Sequence, residues 1–289
     1  MNEALGNLVA PSKISTTLIV VRHGETSWNE VGRLQGQLDI PLNDTGHRQA
    51  VATGTYIAAR WGVSVSEIVS SDLLRAAATA QAIAAALGSH HTVTIDAGLR
   101  ETNLGVWQGS TWEFVSHEFR DEVHQWRTNP DAAMQGGEST RQRLHRVAQA
   151  LHMAALRNVG GVVVVVAHGG VIDDVARLAC RVPFGESTRR RKVNAGVTVI
   201  RAEIPTHVAN AVTSLPIDTA ARREALSALV ASAMPAADAV KPDSAHAALG
   251  LQWHLEHWGI DDHLKAAGSG AEADAVSGDF GAHAAVQPS

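Results

Sequence analysis

Two apolar, mostly β-branched runs each stop at a histidine backed by glycine, and this repeat limits the folds open to the chain. The first is TTLIVVRHG, where Arg22, His23 and Gly24 follow the run; the second, GVVVVVAHGG, ends on His168, Gly169 and Gly170. An unbroken run of this kind reads as a strand covered on both faces, as strands of a parallel sheet are. In open α/β sheets ligands bind beyond the carboxyl ends of the strands, which is where both histidines fall. A single histidine after a strand is ordinarily a capping or packing residue. Two of them meet at one site if their strands are neighbours, and the glycines would let backbone N–H groups approach a ligand as closely as phosphate oxygens require.

The rest of the chain continues the alternation. PLNDTGHRQAVATGTYIAARW has helical spacing behind a cap at Asn43 or Asp44, and SEIVSS is a short strand. DLLRAAATAQAIAAALG is an Ala-rich helix closed by Gly88, and HTVTID is a strand. A loop- and Trp-rich stretch runs from Gly98 to Gly137. GESTRQRLHRVAQALHMAALRN then predicts a helix, GVVVVVA a buried strand, GVIDDVARLAC a helix and GVTVIRAEI a strand. Such alternation predicts an α/β fold, a three-layer sandwich with a mainly parallel central sheet and helices on both faces. The expected organisation is a flexible N-terminus over 1–15, one domain over 16–262 closed by a last strand in LQWHLEHWG, and a disordered tail over 263–289. The Ala-rich segment over about 205–250 breaks the rhythm and reads as a mobile insertion with one helix near Thr219 to Met234. Loop-closure cost grows only logarithmically with length, so such an insertion need not destabilise the core.

Composition excludes several classes. With 289 residues, 45% of them hydrophobic, the chain can bury a substantial core. Its formal net charge of -5 carries no basic excess, so neither nucleic acid nor an anionic membrane is expected as partner. No run approaches the ~18 apolar residues of a membrane span, and MNEALGNLVAPSK lacks the pattern of an export signal, so a cytoplasmic location is expected. The single cysteine, Cys180, excludes an internal disulfide and fits a reducing compartment. It is expected to be a small buried side chain in an apolar helix.

Arg75, in SSDLLRAAATA, falls in the first turn of its helix with Ser71 and Asp72 marking the cap. The helix dipole disfavours a cation there by roughly a few tenths of a kcal/mol unless an anion is nearby, so Arg75 either marks an anion site or points to solvent. Glu101, in GLRETNLGVWQG, lies in a Gly-punctuated loop after a strand. Together Arg22, His23, Arg75, Glu101 and His168 provide two fixed cations, two imidazoles and one acid, a complete set for attack on a phosphate monoester. Guanidinium groups hold the dianion bidentately without losing charge, and neither a metal nor another cofactor is then required. One histidine, its other nitrogen fixed as donor by a backbone carbonyl, can accept the phosphoryl group. The second can donate to the equatorial oxygens where charge gathers. A carboxylic acid must protonate the leaving alkoxide, and Glu101 is the candidate with a suitable neighbourhood.

RHGETSWN, SSDLLRAAATA, LRETNLGVWQG, GGES and VAHGG, in that order and spacing, resemble the histidine phosphatase superfamily in its phosphoglycerate mutase-like branch, from about residue 17 to 204. The resemblance implies that His23 is the phosphohistidine nucleophile, that Arg22, Arg75 and His168 form the phosphate pocket, and that Glu101 donates the proton. By the same likeness Asn29 should reach the phosphate, with backbone near Gly36 and Gly169 assisting. QGQLD, LRETNLGVWQG and GGES are also similar to small phosphatases of the branch, glucosyl-3-phosphoglycerate phosphatases among them. The expected partner is therefore a small-molecule phosphate monoester, and a homodimer is left open as the assembly.

Cofactor-dependent mutases of the branch carry a longer insertion after the acid, with Tyr-Gly and Leu-Asn-Lys elements. NLGVWQGSTWEFVSHEF is short and lacks them, which favours a phosphatase over the alternative, a mutase-type phosphotransferase. A non-catalytic module that binds phosphorylated ligands is a lesser alternative. A metal hydrolase would need ligands such as His254 and His257 of WHLEH, or His90 and His91, but no HExxH spacing exists. No G-x-S-x-G elbow supports a serine hydrolase. Trp107, Trp112 and Trp126 either line the pocket mouth or anchor a core, and Arg127, Glu138 and Arg141 are candidates for substrate contact or helix capping.

Overall fold

A computed structural model describes residues 13–88, 91–186, 188, 191–215, 219–246 and 248–266. The expected flexible segment over 1–12 and the tail from 267 onward lie outside the described residues. In chain order the elements are β1 (Lys13–Arg22), α1 (Ser27–Glu30), α2 (Asp44–Trp61), β2 (Val65–Ser70), α3 (Leu74–Leu87), β3 (Val93–Ile95), α4 (Trp112–Glu118), α5 (Arg120–Thr128) and α6 (Thr140–Arg157). They continue with β4 (Val162–Ala167), α7 (Gly169–Cys180), β5 (Val197–Pro205), α8 (Thr206–Thr213), α9 (Thr219–Ala233), α10 (Pro242–His246), β6 (Gln252–Ile260) and α11 (Asp262–Ala266).

The six strands form one sheet in the order β3-β2-β4-β1-β5-β6. β1 and β4 are parallel neighbours in the register that sets Val21 opposite Val166 and Arg22 opposite Ala167, so His23 and His168 leave the sheet side by side. The unbroken apolar runs have the predicted cause. Leu18, Val20, Val163 and Val165 pack on one face in the same core as α6 and α7. Ile19, Val21, Val164 and Val166 pack on the other with Ile57 of α2 and Ile83 of α3. Covered on both faces, neither strand can alternate apolar with polar residues.

β5 departs from the parallel pattern: it runs antiparallel to both β1 and β6. Val197 pairs with Val21 at the carboxyl edge, so β5 starts at the edge where β1 ends. Several expectations are corrected. β1 begins at Lys13, which pairs with Pro205, so residues 13–15 belong to the sheet and not to a flexible arm. The Ala-rich segment is a packed layer and not a mobile insertion. Ala209, Val212, Leu226, Val230, Met234, Val240 and Ala245 are buried in the same core as α6, α7 and Trp253. Alanine permits this because its small side chain lets helices approach closely while costing no side-chain entropy. Residues 263–266 lie in α11, whose Leu264 is buried beside Val193 and Ala195, so the tail cannot start at 263. Cys180 is exposed at the end of α7, not buried, because the helix leaves the core there.

The Trp-rich stretch builds a small core of its own. Trp107 is buried with Leu34, Val115, Val123 and Met134, edge-on to Trp126 at 5.9 Å. Trp107 is thus a core anchor, while Trp112 is half-buried beneath the Arg127 guanidinium, 5.1 Å from its ring centroid.

Candidate active site

At the carboxyl edge, the His23 and His168 rings face each other with centroids 5.2 Å apart. Both are buried. His23 Nδ1 lies 2.7 Å from the Gly24 carbonyl. A carbonyl only accepts, so Nδ1 carries the proton and Nε2 holds the lone pair, as an attacking nitrogen must. The backbone of His23 is held as well: its carbonyl accepts from Ala195 N at 3.1 Å and from Asn194 Nδ2 at 3.2 Å. His168 is the N-cap of α7, and its Nε2 lies 2.9 Å from Ser71 Oγ. Its Nδ1 has no hydrogen-bond partner among the described residues.

The two arginines border the imidazoles. Arg22 directs Nη1 to the Lys192 carbonyl at 2.7 Å, and Lys192 is tied to Asp173 of α7 at 2.6 Å. Arg75 is buried and not turned to solvent. It donates from Nη1 to the Leu38 carbonyl at 2.8 Å and from Nη2 to that of Gly36 at 2.7 Å. Two of the five guanidinium N–H groups are thereby committed, and Nε has no partner among the described residues. Burial lowers the Arg75 pKa to about 10, an effect that nearby Glu101 and Asp39 oppose. Both imidazoles are held well below the usual histidine range, first by burial and then by the positive charge of Arg75. Two fixed cations beside two neutral imidazoles suit a multiply charged anion.

Glu101 reaches the site from the loop after β3. Its Oε1 accepts from Thr102 N at 2.7 Å and Gly170 N at 3.1 Å, and the Thr102 hydroxyl lies 3.1 Å away. Glycine at 170 lets the carboxylate sit this close, because a Cβ there would collide with Glu101 Oε1 and Thr102 Oγ1 and displace them. At Gly169, by contrast, a Cβ would make only ordinary van der Waals contacts, 3.7 Å to Glu101 Oε2 and 3.9 Å to Arg22 Nε, so Gly169 lies between the acid and the arginine. Gly36 takes φ +52°, a conformation that favours glycine, and turns its carbonyl onto Arg75. Asn29 closes a capping box with Thr26, and its Oδ1 is 3.3 Å from Asn194 Nδ2. It therefore borders the turn that holds His23.

The structure thus brings His23, His168, Arg22, Arg75, Glu101 and Gly169 to one edge of the sheet, with Asn29 and Gly36 in the loops that brace them. Ser71 and Asp72 do not cap α3 as expected. Leu73 occupies the N-cap position, Leu74 N donates to Asp39 Oδ1 at 2.6 Å, and Asp72 is paired bidentately with Arg100. Ser71 Oγ accepts from Leu73 N at 3.3 Å, and its hydroxyl proton is left for His168 Nε2 at 2.9 Å. Of the other candidates, Glu138 accepts from Asn103 N at 2.8 Å and is paired with Arg146, which also donates to the carbonyls of Gly98, Arg100 and Glu101. Glu138 thus helps shape the Glu101 loop. Arg141 binds Asp131 and the Val240 carbonyl. Among the described residues, no group of three or more His, Cys, Asp or Glu is placed to hold a metal ion.

Sequence reasoning missed the residues behind this set: Thr102, Arg143, Arg146, Asp174, Lys192 and Asn194. Arg143 and Asp174 carried a signal, since each interrupts the apolar stripe of its helix, Arg143 in line with Val147 and Leu151, Asp174 with Val171 and Leu178. A charge on a buried face implies a partner on another buried face. Arg143 and Asp174 form such a pair at 2.8 Å.

Comparisons with known proteins agree with this geometry. The family model for the histidine phosphatase superfamily (branch 1) matches residues 18–211. The chain is 40% identical over 162 residues to a glucosyl-3-phosphoglycerate phosphatase of Mycolicibacterium vanbaalenii, covering 54% of this chain and 70% of that protein. It is 35% identical over 190 residues to a metal-independent phosphoserine phosphatase of Arabidopsis thaliana, covering 64% and 76%. A mycobacterial glucosyl-3-phosphoglycerate phosphatase solved with VO3 superposes with a TM-score of 0.60 at 26% identity, over 84% of this chain and 98% of that one. That span is too long to stop at residue 211, so the likeness extends into the C-terminal layer.

Proposed function

Since the chain belongs to the histidine phosphatase superfamily and is a phosphatase, we propose that it hydrolyses a small phosphorylated metabolite, without a metal, through a phosphohistidine on His23. The observation that carries this reading is the pair of facing imidazoles, 5.2 Å apart, beside two buried or nearly buried guanidinium groups.

Arg22 and Arg75 hold the phosphate dianion, and His23 Nε2, its lone pair exposed by the Nδ1 bond to the Gly24 carbonyl, attacks phosphorus in line with the ester oxygen. As the N–P bond forms the P–O bond breaks, and the departing alkoxide takes a proton from the carboxylic acid of Glu101. His168 donates from Nδ1 to an equatorial oxygen, with Ser71 holding the opposite nitrogen. Oriented donors of this kind contribute roughly 3 kcal/mol each to the transition state. In the second half Glu101, now a carboxylate, takes a proton from water as its oxygen attacks phosphorus. The N–P bond breaks, and inorganic phosphate and neutral His23 are restored.

Glucosyl-3-phosphoglycerate is the leading candidate substrate. The reading is supported by the 40% identity to a phosphatase named for that ester, and by the short stretch after Glu101 that lacks the mutase elements. The test is a screen of phosphate monoesters in the presence of a chelator, followed by 31P NMR of the products, with His23→Ala as control. Release of inorganic phosphate that vanadate inhibits and that the variant lacks is expected. Migration of phosphate between substrate carbons without release would favour the mutase, and binding without turnover would favour the sensing module.

A further inference from the structure

We propose that Thr102 is a positioning residue for Glu101, backed by the buried Arg143–Asp174 pair, and that it makes Oε2 the oxygen that hands the proton to the leaving group. This rests on the reading of Glu101 as proton donor and names the atom and the support that the reading leaves open.

The direction of the hydrogen bonds follows from donor chemistry. Asp174 grips Arg143 through two bonds, Nε to Oδ2 at 2.8 Å and Nη2 to Oδ1 at 3.1 Å, which leaves Nη1 pointing to Thr102 Oγ1 at 2.9 Å. A guanidinium has no acceptor, so the Thr102 hydroxyl must accept there. Its single proton is then directed to its other neighbour, Glu101 Oε1, at 3.1 Å. Oε1 therefore receives three donors: Thr102 Oγ1, Thr102 N and Gly170 N. Among the described residues, Oε2 receives only the shared Gly170 N–H, at 3.2 Å. A proton placed on Oε1 would point into a nest of N–H and O–H groups, whereas Oε2 faces only a shared and longer N–H contact among the described residues. Oε2 is also the oxygen turned toward Gly169 and Arg22, since a Cβ built at Gly169 would meet it at 3.7 Å and Arg22 Nε at 3.9 Å. In the transfer the Oε2–H bond breaks as the leaving oxygen gains the proton, and the resulting carboxylate keeps its three donors on Oε1. Thr102, Arg143 and Asp174 are all buried, so the support cannot be replaced by bulk water.

The experiment compares kcat/KM for p-nitrophenyl phosphate, whose leaving group departs unaided, with that for 3-phosphoglycerate, whose alkoxide needs a proton. Thr102→Val, Thr102→Ser and the reference Glu101→Gln are each measured on both substrates. Misplacing the acid should lower the alkyl rate of Thr102→Val about ten-fold more than its aryl rate, whereas Thr102→Ser should stay within about two-fold of the parent on both. If Thr102→Val fails to fold, Thr102→Ala carries the same expectation. Equal losses on the two substrates, no loss, or a serine variant as impaired as the valine variant would overturn the assignment. Selectivity in Glu101→Gln without selectivity in the Thr102 variants overturns the role of Thr102 alone. Its absence in Glu101→Gln overturns both Glu101 as donor and the inference built on it.

Discussion

His23 and His168 end adjacent parallel strands in register, and their rings stand 5.2 Å apart over the same sheet edge. One has its Nδ1 proton committed to a carbonyl; the other has its Nε2 bound to a serine hydroxyl. The two imidazoles therefore present opposite nitrogens, Nε2 and Nδ1, for different tasks, and variants should separate those tasks. His23→Ala should abolish turnover and leave no acid-labile, alkali-stable phosphoenzyme after a rapid alkaline quench. His168→Ala should still form that species, with kcat lower by roughly 10²–10³-fold, the usual cost of one oriented donor. A phosphoenzyme in His23→Ala would refute the assignment.

Ser71 acts on His168 from outside the phosphate pocket. Ser71→Ala should lower kcat by about ten-fold with little change in overall stability, because the hydroxyl fixes the ring orientation and tautomer and otherwise accepts only one long bond, from Leu73 N at 3.3 Å. 15N chemical shifts of His168 in the free enzyme give the direct readout. An unchanged tautomer with unchanged kcat would remove Ser71 from the machinery.

The pH dependence of stability has a definite sign. Burial and the adjacent guanidinium charges hold both imidazoles well below 6.5 in the folded protein. Above pH 6.5 neither state carries their protons, so they contribute nothing to the slope. As pH falls through 6.5, the unfolded chain takes up protons that the folded chain refuses, and stability declines by up to about 1.4 kcal/mol per pH unit for each imidazole. Denaturant midpoints measured from pH 7.5 to 5.5 should fall, and the fall should be smaller in a His23→Asn/His168→Asn double variant. The same slope in both proteins would contradict this account.

The Ala-rich segment offers a test of packing. Leu226 of α9 is fully buried in the core shared with α6 and α7. Leu226→Ala should cost about 2–5 kcal/mol in denaturant unfolding, the range for a core leucine that leaves a cavity. A cost below roughly 0.5 kcal/mol, the level of surface substitutions, would return the segment to the loose insertion that its composition suggests.

Where the chemistry is local, the amino-acid order alone discloses it. Strands that end in His23 and His168, an arginine at the start of α3 and an acid in a Gly-rich loop are each visible in short windows, and the alternation of apolar runs with 3.6-residue periodicity announces the layered architecture. Misjudged features were those in which composition stood in for packing. Alanine and scattered proline made α8–α10 look mobile, although small side chains on a helix are as suited to close packing as to solvent. Cys180 looked buried because its helix is apolar, but it lies where that helix leaves the core.

By itself, then, the sequence determined which residues could do chemistry at the carboxyl edge and which fold class would gather them, since both follow from periodicity and from functional groups adjacent in the chain. Only the tertiary structure decided that β5 turns back antiparallel, that Ser71 serves His168 instead of capping a helix, and that Arg143, Asp174 and Thr102 stand in line behind Glu101. The physical reason is that a hydrogen bond depends on direction and distance in space. Partners drawn from α6, α7 and the loop after β3 acquire both only when the sheet has closed and water has been excluded from between them.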